Sequence, residues 1–363
     1  MPKDVVLDKR AAKVEVSVEQ SASAKRIAPR TREEERLYAP FKDVVPPWRK
    51  WGPYVSDRSW GSVREDYSPD GAAWDYLTHD NARSKAYRWG EDGIAGLSDR
   101  YQLLCFAMSF WNGKDPILKE RMFGLNSGEG NHGEDVKEYY FYLDNTPTHS
   151  YMRMLYKYPQ RAFPYSQLIE ENRLRDGRGS EYELLDTGVF DDDRYFDIFI
   201  EYAKASPEDI CIRIEAFNRG PEDAELHFIP TMWFRNTWGW TDPPGREPQI
   251  SSCPNDKHSV LCFDDSTATR LHNLIFDYSV GTRFLYGPDG AEIIFTDNET
   301  NASRVYGEHA ISRKPHHKDA FHRYLVNGED CIKHSVGTKA ALHYNKLVPA
   351  GGSVVLKLRF TPE

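Results

Sequence analysis

Three runs in the middle of the chain, FDIFIEYAKA (196–205), DICIRIEAF (209–217) and ELHFIPTMWF (225–234), are rich in β-branched and aromatic residues and are separated by spacers of turn length. Such residues suit the pleated, half-buried surface of a sheet, and apolar positions recurring every second residue turn one face of a strand toward a core. A helix cannot gather those positions on one side. Asn218 to Asp223, with Gly220 and Pro221 at its centre, reads as the turn between the last two runs. SVLCF, LIFDYS, TRFLYG, AEIIFT and SVVLKLRF continue at the spacing of an antiparallel sandwich. Upstream, DRYQLLCFAMSFW (99–111) reads as a strand because the turn pair Asn112-Gly113 follows it, and VKEYYFYLD alternates through Val136, Tyr139, Phe141 and Leu143. Residues 165–175 are the best helix candidate, with Leu168, Ile169 and Leu174 at helical spacing and the glycines of DGRG after them. The expectation is a mainly β protein, a large antiparallel β-sandwich with one or two short helices. It occupies residues 37–363 behind a mobile, charged tail of residues 1–36.

The 363 residues carry 47 Lys and Arg against 56 Asp and Glu, a net charge of −9, which argues against nucleic acid as a partner. With 13% aromatic residues the chain is unlike polar, ring-poor disordered sequences. No stretch reaches the roughly 18–20 apolar residues of a membrane helix, and MPKDVVLDKRAAK lacks the apolar core of a secretion signal. A cytoplasmic location and no membrane partner are expected. The 5 cysteines include no C-x-x-C pair, so neither a disulfide framework nor structural zinc is expected, and Cys105 and Cys211, inside apolar runs, read as small core residues.

Several constellations invite chemistry. Gly128 to Gly133 matches G-x-G-x-x-G, but no strand precedes it and Glu129, Glu134 and Asp135 would repel a diphosphate. His316, His317 and His322 follow Lys314 and Lys318, and a solvated loop is the better reading than a metal site. Asp297 to Glu308 resembles a calcium loop but has Ala302 where glycine is required. Asp191, Asp192 and Asp193 are too close in sequence to straddle a glycosidic bond, though such a triplet can bind hydroxyls. Trp233 to Trp240 is the richest cluster of rings, and indoles flanked by Arg235 and Asn236 suit the C–H face and hydroxyls of a pyranose. In a chain this aromatic, sandwich core or an interdomain contact is the favoured reading of that cluster. No cofactor and no metal is expected.

YRWGEDGIAGLSD (87–99), WNGKDPILKERMFGL (111–125), EGNHGEDVKEYYFYLDNTPTHSYMRMLYKYPQRAFPY (129–165), LLDTGVFDDDRYFD (184–197) and MWFRNTW (232–238) closely resemble bacterial and fungal glucosidase-like proteins in or near glycoside hydrolase family 63. The likeness runs from about Glu33 to the C-terminus. It implies a sandwich of galactose-mutarotase-like type, followed in that family by an (α/α)6 barrel carrying the general acid and base of an inverting hydrolysis. No position here matches either catalytic carboxylate, and the sequence ends at RFTPE, where the barrel would begin. The resemblance therefore implies a non-catalytic domain, inactive alone, with a glucose-containing oligosaccharide and a barrel in cis or trans as partners. A free-standing carbohydrate-binding module, a purely structural domain, and a mutarotase or epimerase using His132 with Glu134 or Asp135 stay open. The candidate carbohydrate-binding or domain-interface residues are Trp238, Trp240, Arg235, Asn236, Trp89, Glu91, Asp92, His132, Glu134, Asp135, Asp191 and Asp192. Segments 87–99, 129–138 and 232–240 are expected to expose part of a docking face.

Overall fold

The computed structural model describes residues 31–42, 45–53, 78–87, 93–125, 135–175, 178–270 and 276–363. Among the described residues, seventeen strands form two large sheets and a small ribbon. The six-stranded sheet runs β1 (Trp51–Gly52), β2 (Ile94–Asp99), β3 (Leu104–Trp111), β10 (Ala224–Phe234), β16 (Lys339–Val348), β14 (Glu292–Thr296). The nine-stranded sheet runs β15 (Val336–Gly337), β11 (Gln249–Ser252), β12 (His258–Asp264), β13 (Arg283–Pro288), β17 (Ser353–Thr361), β9 (Asp209–Asn218), β8 (Tyr195–Ser206), β7 (Tyr151–Pro159), β6 (Tyr140–Asn145). The ribbon pairs β4 (Gly124–Leu125) with β5 (Asp135–Val136). All neighbours are antiparallel; short spacers account for β6–β7 and β8–β9, while β3–β10, β10–β16 and β9–β17 pair strands far apart in the chain.

The period of two decides how the sheets meet. Along β9 every second residue is buried, so Ile210, Ile212 and Ile214 face inward. They join Ile198 and Ile200 of β8 and meet Phe106, Met108, Phe228, Met232 and Phe234 of the other sheet in one core. Each such side chain contributes roughly 1.5–3 kcal/mol over leaving it in water. Cys211 points the opposite way and is exposed, which corrects its reading as a core residue; only Cys105 is buried as expected. The cysteine reading needs a second correction, because Cys253 and Cys262 are joined across the β11–β12 hairpin with their Cα atoms 6.0 Å apart. Their spacing along the chain says nothing of this until the two strands are known to pair.

The predicted helix at 165–175 is present as Tyr165–Leu174, its Leu168 buried in a satellite cluster with Phe123, Leu125, Phe163, Leu184 and Val189. Of LIFDYS, residues 276–279 are irregular. Asp265 accounts for the difference: its carboxylate accepts from Ser279 Oγ at 2.7 Å and from the N–H groups of Val280 and Gly281 at 2.9 and 3.0 Å, which holds this stretch as a loop. Within the segment read as a tail, Arg32–Leu37 is a helix closed by a reciprocal Thr31–Glu34 capping box. Glu33 fastens it to the sandwich, accepting from Thr148 N–H and Oγ1 at 2.7 and 2.6 Å and from Ser150 Oγ at 2.8 Å. Burial works against the Glu33 carboxylate, yet those bonds hold its pKa below the ordinary value. No helix among the described residues is long and apolar enough to cross a membrane.

Where the helix Tyr165–Leu174 meets the sheets, a buried ionic network lies beside the apolar satellite cluster. Lys119 Nζ donates to Glu138 Oε1 at 2.7 Å and to Tyr165 Oη at 2.9 Å. Glu138 also accepts from Tyr156 Oη and from Phe123 N–H, both at 2.6 Å, and Tyr158 Oη donates to Asp115 Oδ2 at 2.9 Å. A buried charge is tolerated only while its partner stays. Glu138→Ala strips Lys119, Tyr156 and the Phe123 amide of an acceptor at once, so urea unfolding should show a loss of about 3–5 kcal/mol; a loss below about 1 kcal/mol, the value of a surface pair, would contradict the network's role.

Stability should also fall in mild acid. Burial first, then neighbouring cations (Lys204 and Arg49 at His149, Arg83 at His322), pushes both imidazoles down from 6.5 to about 4. Moreover, His322 Nδ1 accepts the Leu118 N–H at 3.1 Å, which requires that nitrogen unprotonated. Between the unfolded pKa near 6.5 and about 4 the unfolded chain binds more protons, so stability present above the window is lost as pH falls through it. The urea midpoint should drop across this range, and His322→Gln, which keeps an acceptor without the titration, should show a shallower drop; an unchanged slope would exclude His322 as a contributor.

Candidate functional site

The outer face of the six-stranded sheet holds a layer of buried polar residues. The alternation that sends Phe228, Met232 and Phe234 inward sends His227, Ile229, Thr231 and Trp233 of β10 outward, beside Ala107 and Ser109 of β3 and Lys339 and Ala341 of β16. An antiparallel sheet can leave such a face to water. Here residues 84–85, 118–121, 297–301 and 318–322 cover it instead, and an apolar patch of Leu118, Ile229, Ile294, Phe321, Ile332 and Ala341 anchors the cover.

Within the cover, buried side chains bond to one another and to backbone carbonyls. Lys339 Nζ donates to Glu120 Oε1 at 2.5 Å and to the Lys318 carbonyl at 3.0 Å. Lys318 Nζ in turn donates to the Lys85 carbonyl at 3.0 Å and stands 3.9 Å from the centre of the Tyr87 ring. Burial alone would raise the Glu120 pKa, but Lys339 and Arg121 outweigh it and hold the carboxyl below its ordinary value, so it is ionised at neutral pH. Asp319 Oδ2 accepts from Ser84 Oγ at 2.6 Å and Asn301 Nδ2 at 2.9 Å. Farther along the same face, His227 Nδ1 lies 2.7 Å from His343 Nε2, and His343 Nδ1 lies 2.7 Å from Glu292 Oε2. Glu225 Oε1 stands 3.3 Å from His227 Nε2, completing a chain of two imidazoles between two carboxylates. Burial, then His343, lowers the His227 pKa.

The aromatic candidates serve this cover as fasteners. Trp238 belongs to the central core and is 2% exposed, with Nε1 donating to Glu299 Oε1 at 3.0 Å; its indole faces are closed to a stacking ligand. Asn236 Nδ2 donates to the Asn298 carbonyl at 2.8 Å, while its Oδ1 accepts the Gly239 N–H at 3.1 Å. Arg235 donates to the carbonyls of Gln102 and Tyr101 at 3.1 and 3.0 Å and lies 5.5 Å from the half-buried Trp240 ring. The segments expected to expose part of a docking face are described only in part: Gly239 is exposed, and Asp135, Val136, Thr237 and Trp240 are half-buried. Ile94–Asp99 is a wholly buried strand, and residues 232–236 are buried because β10 is covered on both sides. Trp89, Glu91, Asp92, His132 and Glu134 lie outside the described residues.

The acidic candidates are elsewhere. Asp191 and Asp192 occupy an exposed 3-10 turn before β8, where Arg161 NH2 donates to Asp192 Oδ2 at 3.1 Å. Asp135 joins Glu181 and Glu183, their oxygens within 4.8 Å of one another, a spacing that would suit a cation. The Lys137 ammonium already lies among them, 2.6 Å from Glu181, 2.8 Å from Glu183 and 3.4 Å from Asp135. Burial would lower the Lys137 pKa, but those glutamates raise it overall.

The histidine-rich stretch also departs from expectation. Lys318, Asp319 and His322 are buried within the cover and not in a solvated loop, and His322 is bound to the Leu118 amide. Asp297, first residue of the calcium-like stretch, is paired with Lys333 at 3.1 Å and Lys314 at 3.5 Å. Sequence reasoning missed Glu120 and Lys339, and took Trp233 as part of the ring cluster, Asn298 as part of the calcium-like stretch and Lys318 as a flank of the histidines. The available signal was position: Glu120 and Trp233 lie inside the motif segments KERMFGL and MWFRNTW, flanked by apolar residues.

No family model matches the chain. In an alignment of 357 positions that covers 91% of the chain, it is 40% identical to Uncharacterized protein YMR196W of Saccharomyces cerevisiae. The chain spans 32% of that protein's length.

Proposed function

We propose that this chain is the non-catalytic sandwich domain of a longer glycoside hydrolase acting on α-glucosidic oligosaccharides, where it docks an (α/α)6 catalytic barrel and shapes the mouth of the substrate site. The observation that carries the reading is the use the motif segments make of their charges. Lys119 of the 111–125 segment closes on Glu138 of the 129–165 segment, and Lys157 of that same segment closes on Asp197 of the 184–197 segment at 2.5 Å. An inverting hydrolysis needs two carboxyls about 6.5–9.5 Å apart with a water between them. Asp115, Glu120 and Glu138 instead accept bonds from lysines, tyrosines and backbone within the seams. Segments this strongly locked to one another suit a scaffold that presents loops to a neighbouring catalytic unit.

The free-standing binding-module reading draws less support, because Trp238 is part of the core. The purified chain should give no turnover of maltose, nigerose-type or aryl α-glucosides above a buffer blank, and calorimetry with malto-oligosaccharides should register no binding. Turnover abolished by changing a carboxylate of this chain would overturn the non-catalytic role. Binding abolished by Trp240→Ala, with the fold intact, would favour the binding module instead.

A further inference from the structure

We infer that the outer face of the six-stranded sheet encloses a binding site for one water molecule, held by Glu120, Trp233 and Asn298, which ties strand β10 to two of the segments that cover it. The inference stands apart from the proposed function. A cavity of about 20 Å³ lies between Ala107 and Ser109 of β3, Trp233 of β10, and the covering residues Glu120 and Asn298. A water needs about 10–15 Å³ of such space. A sugar ring or a hydrated ion does not fit.

Three polar atoms of this lining have no hydrogen-bond partner: Glu120 Oε2, Trp233 Nε1 and Asn298 Oδ1. The three residues are 7%, 7% and 1% exposed and these atoms are buried, so bulk solvent does not serve them. Buried polar atoms without partners are costly, and native folds satisfy nearly all of them. Neighbouring bonds fix which atoms stay free. Lys339 engages Glu120 through Oε1, and Asn298 Nδ2 donates to the Phe234 carbonyl at 2.9 Å, which leaves Oε2 and Oδ1 as acceptors. Ser109 and Thr231 do not compete, since their hydroxyls bond each other at 3.3 Å and Thr231 also donates to the Ile229 carbonyl at 2.9 Å.

Two acceptors and one donor are the complement of a single water, which donates both hydrogens and accepts one N–H. An anion would face two oxygens, one of them a carboxylate. A cation would face the indole N–H and the charges of Lys318, Lys339 and Arg121, which line the same cavity. A water making three bonds is of the usual buried kind.

Two measurements test this on the purified chain. A high-resolution crystal structure should show one ordered oxygen within hydrogen-bond reach of all three atoms. Oxygen-17 relaxation dispersion should show one fewer long-lived water in Ala107→Val, whose added methyl groups enter the cavity, together with a lower urea midpoint because the three atoms lose their partner. An empty cavity in the crystal would overturn the proposal, as would a bound ion. So would an Ala107→Val protein that keeps its dispersion amplitude and gains stability, the behaviour of a dry void being filled. If Ala107→Val does not fold, the density in the wild-type crystal decides alone.

Discussion

Strand β10 is buried on both faces, and the two halves of the molecule are two answers to that constraint. A backbone in the middle of a sheet has its hydrogen bonds met by its neighbours, here β3 and β16 over nearly its full length. Its side chains must still be taken out of water in both directions. Inward, the answer is apolar: Phe228, Met232 and Phe234 pack on the isoleucines of β8 and β9. Outward, the strand carries His227, Thr231 and Trp233, and hydrophobic packing cannot satisfy those groups. The cover therefore brings its own partners.

That cover is a set of loops and short helices rather than a third sheet. Loops cannot bury their backbone without outside help, and here side chains supply it. Asn298 bonds its side-chain amide to the Phe234 carbonyl and receives Asn236 on its own carbonyl; Thr338 Oγ1 accepts its N–H at 2.8 Å. Charges do the same work where a loop meets a strand or another loop, as with Lys339 and Glu120 or Lys119 and Glu138. Buried pairs of this type contribute modest net stability but punish any rearrangement that separates them, because each partner left behind is an unpaired charge. Loops held this way are fixed in shape. A domain whose task is to present a surface to another domain has use for that property.

The same chemistry explains why the chain should be sensitive to acid although it carries a negative net charge. His149 sits beside the N-terminal helix anchor and His322 beneath the cover, and both are kept neutral by burial among cations. Charging either would place a positive group beside Lys204 or Arg83. The seams most exposed to this effect are those that join loops to sheets, not the apolar core.

How much of this could be read from residues alone follows from the range over which each cause acts. The strands at 196–234 were legible because their period of two is a local pattern and their turn is punctuated by Gly220 and Pro221. The helix Tyr165–Leu174 was legible for the same reason. Strand β16 was not, since Lys339, His343, Asn345 and Lys346 break its apolar pattern; Lys339 is buried only because Glu120, 219 positions away in sequence, comes to meet it. Trp238 could be read as core, interface or ligand platform until the fold placed it in the core. The Cys253–Cys262 link, the outward turn of Cys211 and the buried polar cover are also long-range results. Sequence by itself determined the mainly β character and the run of antiparallel strands, because alternation and turn chemistry act between neighbours. Only the tertiary structure decided which polar residues are buried and what each one meets, because pairing across sheets and loops depends on the register of segments far apart in the chain.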